Sequence, residues 1–351
     1  MSWSRADIVL KDARVSGEQS LSIDTVSVIG GGAWGTALAQ TLAASGKQVT
    51  LWAREPDVVS DIAERRVNRM FLPGIELDTR IRPTGDLGAA ALGDVLLIVV
   101  PAQHARATLT SLSRSVRAGT ALVMCAKGIE QSTGKLMGEV VAEVMPDAKI
   151  AILSGPSFAS DVARGLPAAL TLACSKEAVG RNLAAGLSSR QMRLYWSSDV
   201  TGAELGGAVK NVLAIAAGIV EGRGLGASAH AAIVTRGFAE LRRFGEAMGA
   251  RPETLLGLSG LGDLVLTCGS SQSRNMSLGR GLGEGKRLDD ILGGRTAVTE
   301  GVFTAAAVVK LARSKGVEMP IAEAVHAIIE GQLTVDDAIT ALMQRPLKAE
   351  D

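Results

Sequence analysis

Aromatic residues are nearly missing from this chain: they make up 3% of its 351 residues. Its core must therefore be built from Ala, Val, Leu and Ile, and a hydrophobic content of 47% is ample for that. Cysteine is as scarce. Cys125, Cys174 and Cys268 lie far apart, in or beside apolar runs, with no CxxC pair. They read as buried free thiols, which fits a reducing compartment. The three histidines, His104, His230 and His326, form no HxH, HExxH or Cys/His cluster. No metal is expected, and no histidine base stands out. Charge of one sign is also lacking, with 37 Lys and Arg against 36 Asp and Glu and a formal net charge of +1. That balance argues against nucleic acid as a partner and leaves anion recognition to local features. No run reaches the roughly 20 apolar residues of a membrane span, and residues 1–24 hold no apolar signal core. The expectation is a cytoplasmic protein that is not integral to a membrane.

Against this background one charge stands out. Lys210 is the only charged residue between Leu205 and Val220, in LGGAVKNVLAIAAGIV. A helix this apolar is buried, and a buried lysine head group needs a partner or a purpose. Burial lowers a lysine's pKa toward neutrality, where it exchanges protons readily. Lys210 is thus the candidate proton carrier. The plain alternative is a salt-bridged structural lysine. Asp263, alone in the apolar run GLGDLVLT, also needs a partner, and Lys210 is a plausible one.

The length suggests two domains. Strand-like runs fall at Thr25–Ile29, Gln48–Trp52, Asp94–Val100, Ala121–Ala126, Lys149–Leu153, Ala168–Cys174 and Met192–Trp196. Several are continuously apolar, as in a parallel sheet covered on both faces. Beyond about residue 205 the strand signal stops and helical spacing takes over, as in Ile321, Val325, Ile328 and Ile329. Thr334 followed by Asp337 reads as a helix start. The divisions expected are an N-terminal extension (1–24), a sheet domain (25–203), a helical domain (204–345) and a charged tail (346–351).

Between the first two strands lies Gly30-x-Gly32-x-x-Gly35, followed by a helical stretch, Thr36–Ala44, that Gly46 closes. A strand, this turn, a helix and a second strand form the dinucleotide-binding unit. Its first glycine permits the turn, the second admits a pyrophosphate, and the third lets helix and strand pack closely. The fold expected is therefore an α/β N-terminal Rossmann-type doubly wound sheet followed by an all-α C-terminal domain. The second strand runs into Arg54 and then Glu55. An arginine there suits a 2′-phosphate, so NADPH is favoured, while Glu55 leaves NADH open.

Polar islands lie at other strand ends, where open α/β sheets bind ligands. Lys127 follows the strand Ala121–Ala126, and SGPSF, with Gly155 and Ser157, follows Lys149–Leu153. Ser273-Arg274-Asn275 combines a hydroxyl, a guanidinium fork and an amide, a donor set suited to phosphate. Each island taken alone could be an ordinary loop.

Taken in order, VIGGGAWGTALA (28–39), FLPGI (71–75), AKGIE (126–130), SGPSFA (154–159), GGAVKNVLAIAAGI (206–219), GLGDLVLTC (260–268) and SRN (273–275) resemble the bacterial NAD(P)-dependent glycerol-3-phosphate dehydrogenases from about residue 25 to 345. The resemblance implies reversible hydride transfer between a nicotinamide cofactor and the middle carbon of a triose phosphate. Dihydroxyacetone phosphate and sn-glycerol 3-phosphate are interconverted, which supplies glycerophospholipid synthesis. It implies Lys210 as the general acid/base. Lys127, Gly155, Ser157, Asp263, Ser273, Arg274 and Asn275 match substrate-site motifs. Ala33, Trp34, Arg54, Phe71, Lys127, Ala159, Arg274, Val298 and Glu300 match cofactor-contacting positions. A homodimer is also implied. Asn211 is expected to fix Lys210 or the substrate hydroxyl. The rival readings are a β-hydroxyacid dehydrogenase of similar architecture, which needs a carboxylate receptor, and a cofactor-binding sensor without chemistry.

Overall fold

Eight strands form one sheet: β1 (Thr25–Ile29), β2 (Gln48–Trp52), β3 (Ile81–Thr84), β4 (Val95–Ile98), β5 (Ala121–Met124), β6 (Lys149–Ser154), β7 (Ala168–Ala173) and β8 (Met192–Ser197). Their order is β3-β2-β1-β4-β5-β6-β7-β8. The structure is a computed structural model that describes residues 23–293 and 299–346. β1 to β6 run parallel, β7 runs antiparallel to β6, and β8 runs parallel to β7. The inner strands β4 and β5 are apolar throughout because both faces are covered. In β4 and β5, Val95, Leu97, Ala121 and Val123 enter one core, and Leu96, Ile98, Leu122 and Met124 enter the other.

β3 was not expected. Its sequence, IRPT, carries a charge and a proline, and it pairs only with β2 at the sheet edge. An edge strand tolerates a proline that an inner strand would not.

Two topological features position the site. The chain leaves β1 toward β2 and later returns to β4 on the other side of β1. This switch opens a crevice at the carboxyl ends of β1 and β4. The reversal at β7 keeps segment 155–167 at the same end of the sheet, where β5 and β6 finish.

The helical part begins at Val200, ahead of the expected 204, because Asp199 caps the helix Val200–Gly222. Its carboxylate accepts from Gly202 N at 2.9 Å and Arg251 N at 2.8 Å. Every residue of this helix from Gly202 to Val220 is buried. Contrary to the sequence expectation, it is long and apolar enough to cross a membrane by length and composition. Its most apolar 18-residue window, with a mean hydropathy of 1.5, nevertheless lies wholly inside the protein. Helices Gly226–Ala247, Asp263–Cys268, Arg274–Gly283, Glu300–Ser314 and Pro320–Ile329 are among those around it. They share a third core that includes Val209, Val212, Phe244, Leu278 and Val308. Thr334 caps the last helix, Val335–Met343, by accepting from Asp337 N at 3.1 Å.

The helices Val200–Gly222 and Arg274–Gly283 meet through reciprocal glycines. A Cβ on Gly218 or Gly222 would collide with the carbonyl oxygens of Met276 or Arg280. A Cβ on Gly279 or Gly283 would collide with those of Ile215 or Ile219. Small residues let two backbones approach this closely.

Candidate active site

The glycine turn lies in the crevice beside β1. Gly30 has φ +132°, and a Cβ there would stand 2.9 Å from the backbone of Val99, at the end of β4. A Cβ on Gly35 would collide with the Gly30 carbonyl oxygen, whereas one on Gly32 would meet nothing within 4 Å. The turn is thus packed on two sides and open at its middle glycine, where a pyrophosphate approaches. Gly32 caps the helix Ala33–Ala44 without a side-chain hydrogen bond, so no side chain competes for the amides of that first turn. Ala33 and Trp34 are its first two residues, and the Trp34 indole nitrogen is buried without a partner. These features fit a bound dinucleotide.

Asn68 was missed in the sequence because a lone amide in a loop carries no periodic signal. It is wholly buried, and its Nδ2 donates to Gly31 O and Thr36 Oγ1, each at 2.8 Å. Its Oδ1 accepts from Phe71 N at 3.1 Å. One amide therefore ties the glycine turn to Phe71. Arg54 is exposed beyond β2 and pairs with Glu55 at 3.0 Å. Ala159 opens the short helix Ala159–Ala163. Val298 lies outside the described residues. Glu300 is half-buried and accepts from Ala102 N at 3.2 Å, which places it on the first turn of the helix Ala102–Leu112. Burial raises its carboxyl pKa, with the Ala102 N–H and the charges of Arg274, Lys127 and Lys210 acting against that rise.

Lys210 stands at the other wall, 7% exposed. Its Nζ donates to Asp263 Oδ1 at 2.5 Å and to Thr267 Oγ1 at 2.9 Å. Lys127 Nζ donates to the other Asp263 oxygen at 2.8 Å and to Gly155 O at 2.9 Å. Asp263, 1% exposed, thus has both oxygens taken by lysines. A single turn of π-helix, Leu258–Gly262, precedes it and starts the helix Asp263–Cys268. That turn presses on Gly206, where a Cβ would collide with Ser259 O. Thr267 follows Asp263 by four residues, so both face Lys210 from one side of a helix. The spacing D-x-x-x-T is the trace this pairing leaves in the sequence. Burial lowers the Lys210 pKa to about 8; Asp263 opposes the shift and Lys127 adds to it. With two ammonium groups against one carboxylate, this cluster favours an anionic ligand.

Asn211 does not hold Lys210, the first of the two parts expected of it. Its Nδ2 donates to Lys127 O at 3.0 Å, and its Oδ1 accepts from Asn275 Nδ2 at 3.0 Å; it does not bond Lys210. It ties Lys127 and Asn275 to the Lys210 helix because its short amide lies one residue along, on another face. Asn275 Oδ1 accepts from Gly301 N at 3.0 Å. Ser273 caps the helix Arg274–Gly283, its Oγ accepting from Met276 N at 3.2 Å. Arg274 opens that helix and is exposed. Gly155 has φ +141°, and Ser157 Oγ donates to its carbonyl at 3.1 Å. The structure thus gathers Lys127, Gly155, Ser157, Lys210, Asp263 and Asn275 through direct bonds and the 155–157 turn, and Arg274 adjoins Asn275. Among the described residues no group of His, Cys, Asp or Glu could hold a metal.

Comparison with known proteins gives the family. Family models of the NAD-dependent glycerol-3-phosphate dehydrogenase N-terminus and C-terminus match residues 25–180 and 199–340. A protein of Parvibaculum lavamentivorans named glycerol-3-phosphate dehydrogenase (NAD(P)+) is 58% identical over 331 residues, covering 94% of this chain and 99% of its own length. A crystal structure of glycerol-3-phosphate dehydrogenase from Coxiella burnetii is 37% identical with a TM-score of 0.88, over 92% of this chain and 99% of that one. A D-mandelate dehydrogenase structure, 15% identical with a TM-score of 0.62 over 90% of this chain and 99% of that one, shares the fold alone. The chain belongs to the NAD-dependent glycerol-3-phosphate dehydrogenase family of oxidoreductases.

Proposed function

We propose that this chain interconverts dihydroxyacetone phosphate and sn-glycerol 3-phosphate, with Lys210 as the proton carrier. The observation that carries the reading is a buried lysine, pKa about 8, held by Asp263 and Thr267 beside an excess of positive charge. The nicotinamide cofactor, when bound, supplies a hydride to the carbonyl carbon. As that carbon gains the hydride, its oxygen becomes an alkoxide and takes a proton from the Lys210 ammonium. In the reverse direction the Lys210 amine takes the hydroxyl proton. Asp263 and Thr267 fix the Nζ direction, and Lys127 lends a second positive charge to the oxygen. Arg274 and the remaining Asn275 amide hydrogen grip the phosphate and so orient the carbonyl. Gly30, Gly32, Gly35 and the helix that begins at Ala33 hold the cofactor pyrophosphate.

Arg54 supports a preference for NADPH: its exposed guanidinium belongs to the turn that follows β2, where a 2′-phosphate would lie. The reading includes a cytoplasmic homodimer that supplies the backbone of glycerophospholipids. The test follows NADPH absorbance on addition of dihydroxyacetone phosphate. Turnover is expected, with sn-glycerol 3-phosphate as product. Turnover of a β-ketoacid in its place would overturn the substrate assignment, and binding of NADPH without turnover of either would overturn the enzymatic one.

A further inference from the structure

Glu204 is a carboxylate that the reaction above does not use. It lies six residues before Lys210 on the same helix, about 9 Å along the axis, and is 8% exposed. Its Oε1 accepts from Gly138 N at 2.7 Å, and the neighbouring Met137 N–H also favours the charged carboxylate. Met137 and Gly138 are the first two residues of the helix Met137–Val144, whose N-cap, Leu136, has no hydrogen-bonding side chain. The orphan amides of one helix are thus satisfied by a side chain from another, across the junction between the sheet and the helical part. The same helix ends the segment that leaves β5 and carries Lys127. The start of that segment is held from the helical part too, because Asn211 bonds Lys127 O. Gly128 packs against Thr304, and Gly207 against Lys127 and the Ser154 hydroxyl.

We propose that Glu204 is a positioning residue that sets the spacing between Lys127 and Lys210. Both lysines must reach the two oxygens of the single carboxylate of Asp263. One rides on the Glu204 helix and the other on the segment that ends at the helix Glu204 caps. The glutamate is a strut of fixed length between the two supports. Its essential properties are reach and an acceptor oxygen rather than charge. The role rests on the proposed reaction.

Three substitutions separate these properties. Glu204→Gln keeps the length and one acceptor oxygen. Glu204→Asp keeps the carboxyl group but is shorter by a methylene. Glu204→Ala loses both. The expected result is that the Ala and Asp variants lower kcat roughly 10- to 100-fold, the scale of a misplacement by an ångström. KM for NADPH should stay near its wild-type value, since the glycine turn is untouched, and Gln should restore most of the turnover. Hydrogen exchange should show the Met137 and Gly138 amides protected in wild type and in the Gln variant, and unprotected in the other two. A wild-type chain that does not reduce dihydroxyacetone phosphate overturns the reaction and this role together. An active wild type with a fully active Ala variant overturns the role alone, as does an Asp variant that matches wild type. Loss of activity in all three in proportion to the folded fraction would also overturn it.

Discussion

At the scale of single residues, the proposed chemistry rests on Lys210. Lys210→Ala should lower kcat by at least about 100-fold, the lower range for loss of a general acid–base. Steady-state turnover of the folded variant checks this. The pKa of about 8 gives the pH dependence its sign. Reduction needs the ammonium and should fall as pH rises through about 8, whereas oxidation needs the amine and should climb toward the same value. Opposite limbs in the two directions are the expected outcome, and identical limbs would remove Lys210 from the proton transfer. Arg274→Ala should raise KM for the phosphorylated substrate and lower kcat/KM, with little change in NADPH affinity measured by fluorescence titration. The pairing of Lys210 with Asp263 was legible in the sequence, since each is a lone charge in an apolar run and buried charges need partners. That Lys127 shares the same carboxylate was not. The two residues stand 136 positions apart, on segments that meet where the sheet part packs on the helical part.

Among the elements, the helix of Lys210 and the helix of Arg274 form a unit because four glycines interlock. Gly279→Ala places a methyl group against the Ile215 carbonyl and should destabilise the protein by about 2 kcal/mol, within the range for overpacking. It should also lower kcat/KM in the fraction that folds, since the phosphate grip would move away from Lys210. Thermal melting together with kinetics on the folded variant reads both effects. The strands were legible wherever they run apolar on both faces, as in VLLI and ALVM. β3 was not, because an edge strand needs neither an apolar run nor a full ladder, and IRPT has no period. The helix ends were legible where chemistry marks them. Thr334 is one case and Gly46, at φ +102°, another. The glycine seam was hidden because glycine in a helix reads from sequence as a weakness and shows its purpose only against a partner.

The molecule as a whole carries buried carboxylates that link stability to pH. Glu240 accepts from Ile321 N at 2.7 Å and Ala322 N at 3.2 Å, capping the helix Pro320–Ile329 from outside it. Burial pushes its pKa from 4.5 up to about 7, against the pull of those two amides. The folded state therefore binds this proton more tightly than the unfolded chain. The stability it contributes is full below 4.5 and is lost as pH rises through about 7. Glu240→Gln should flatten the fall in Tm from about pH 5 to about pH 8. A Tm profile that keeps its full slope in the variant would show that other groups set it. The division into a sheet part and a helical part followed from the change of period along the chain. Their junction did not, because it is made of single polar contacts between residues far apart in sequence, such as Glu300 with Ala102 and Asn211 with Lys127.

The glycine seam has a consequence in heredity. Any base change that alters the meaning of a glycine codon, if it does not stop the chain, introduces a Cβ. At Gly218, Gly222, Gly279 and Gly283 that one carbon has nowhere to go. A reading of variants that weighs only the residues touching substrate would pass over these four positions. They are places where a single altered nucleotide, well away from the chemistry, can silence the gene product.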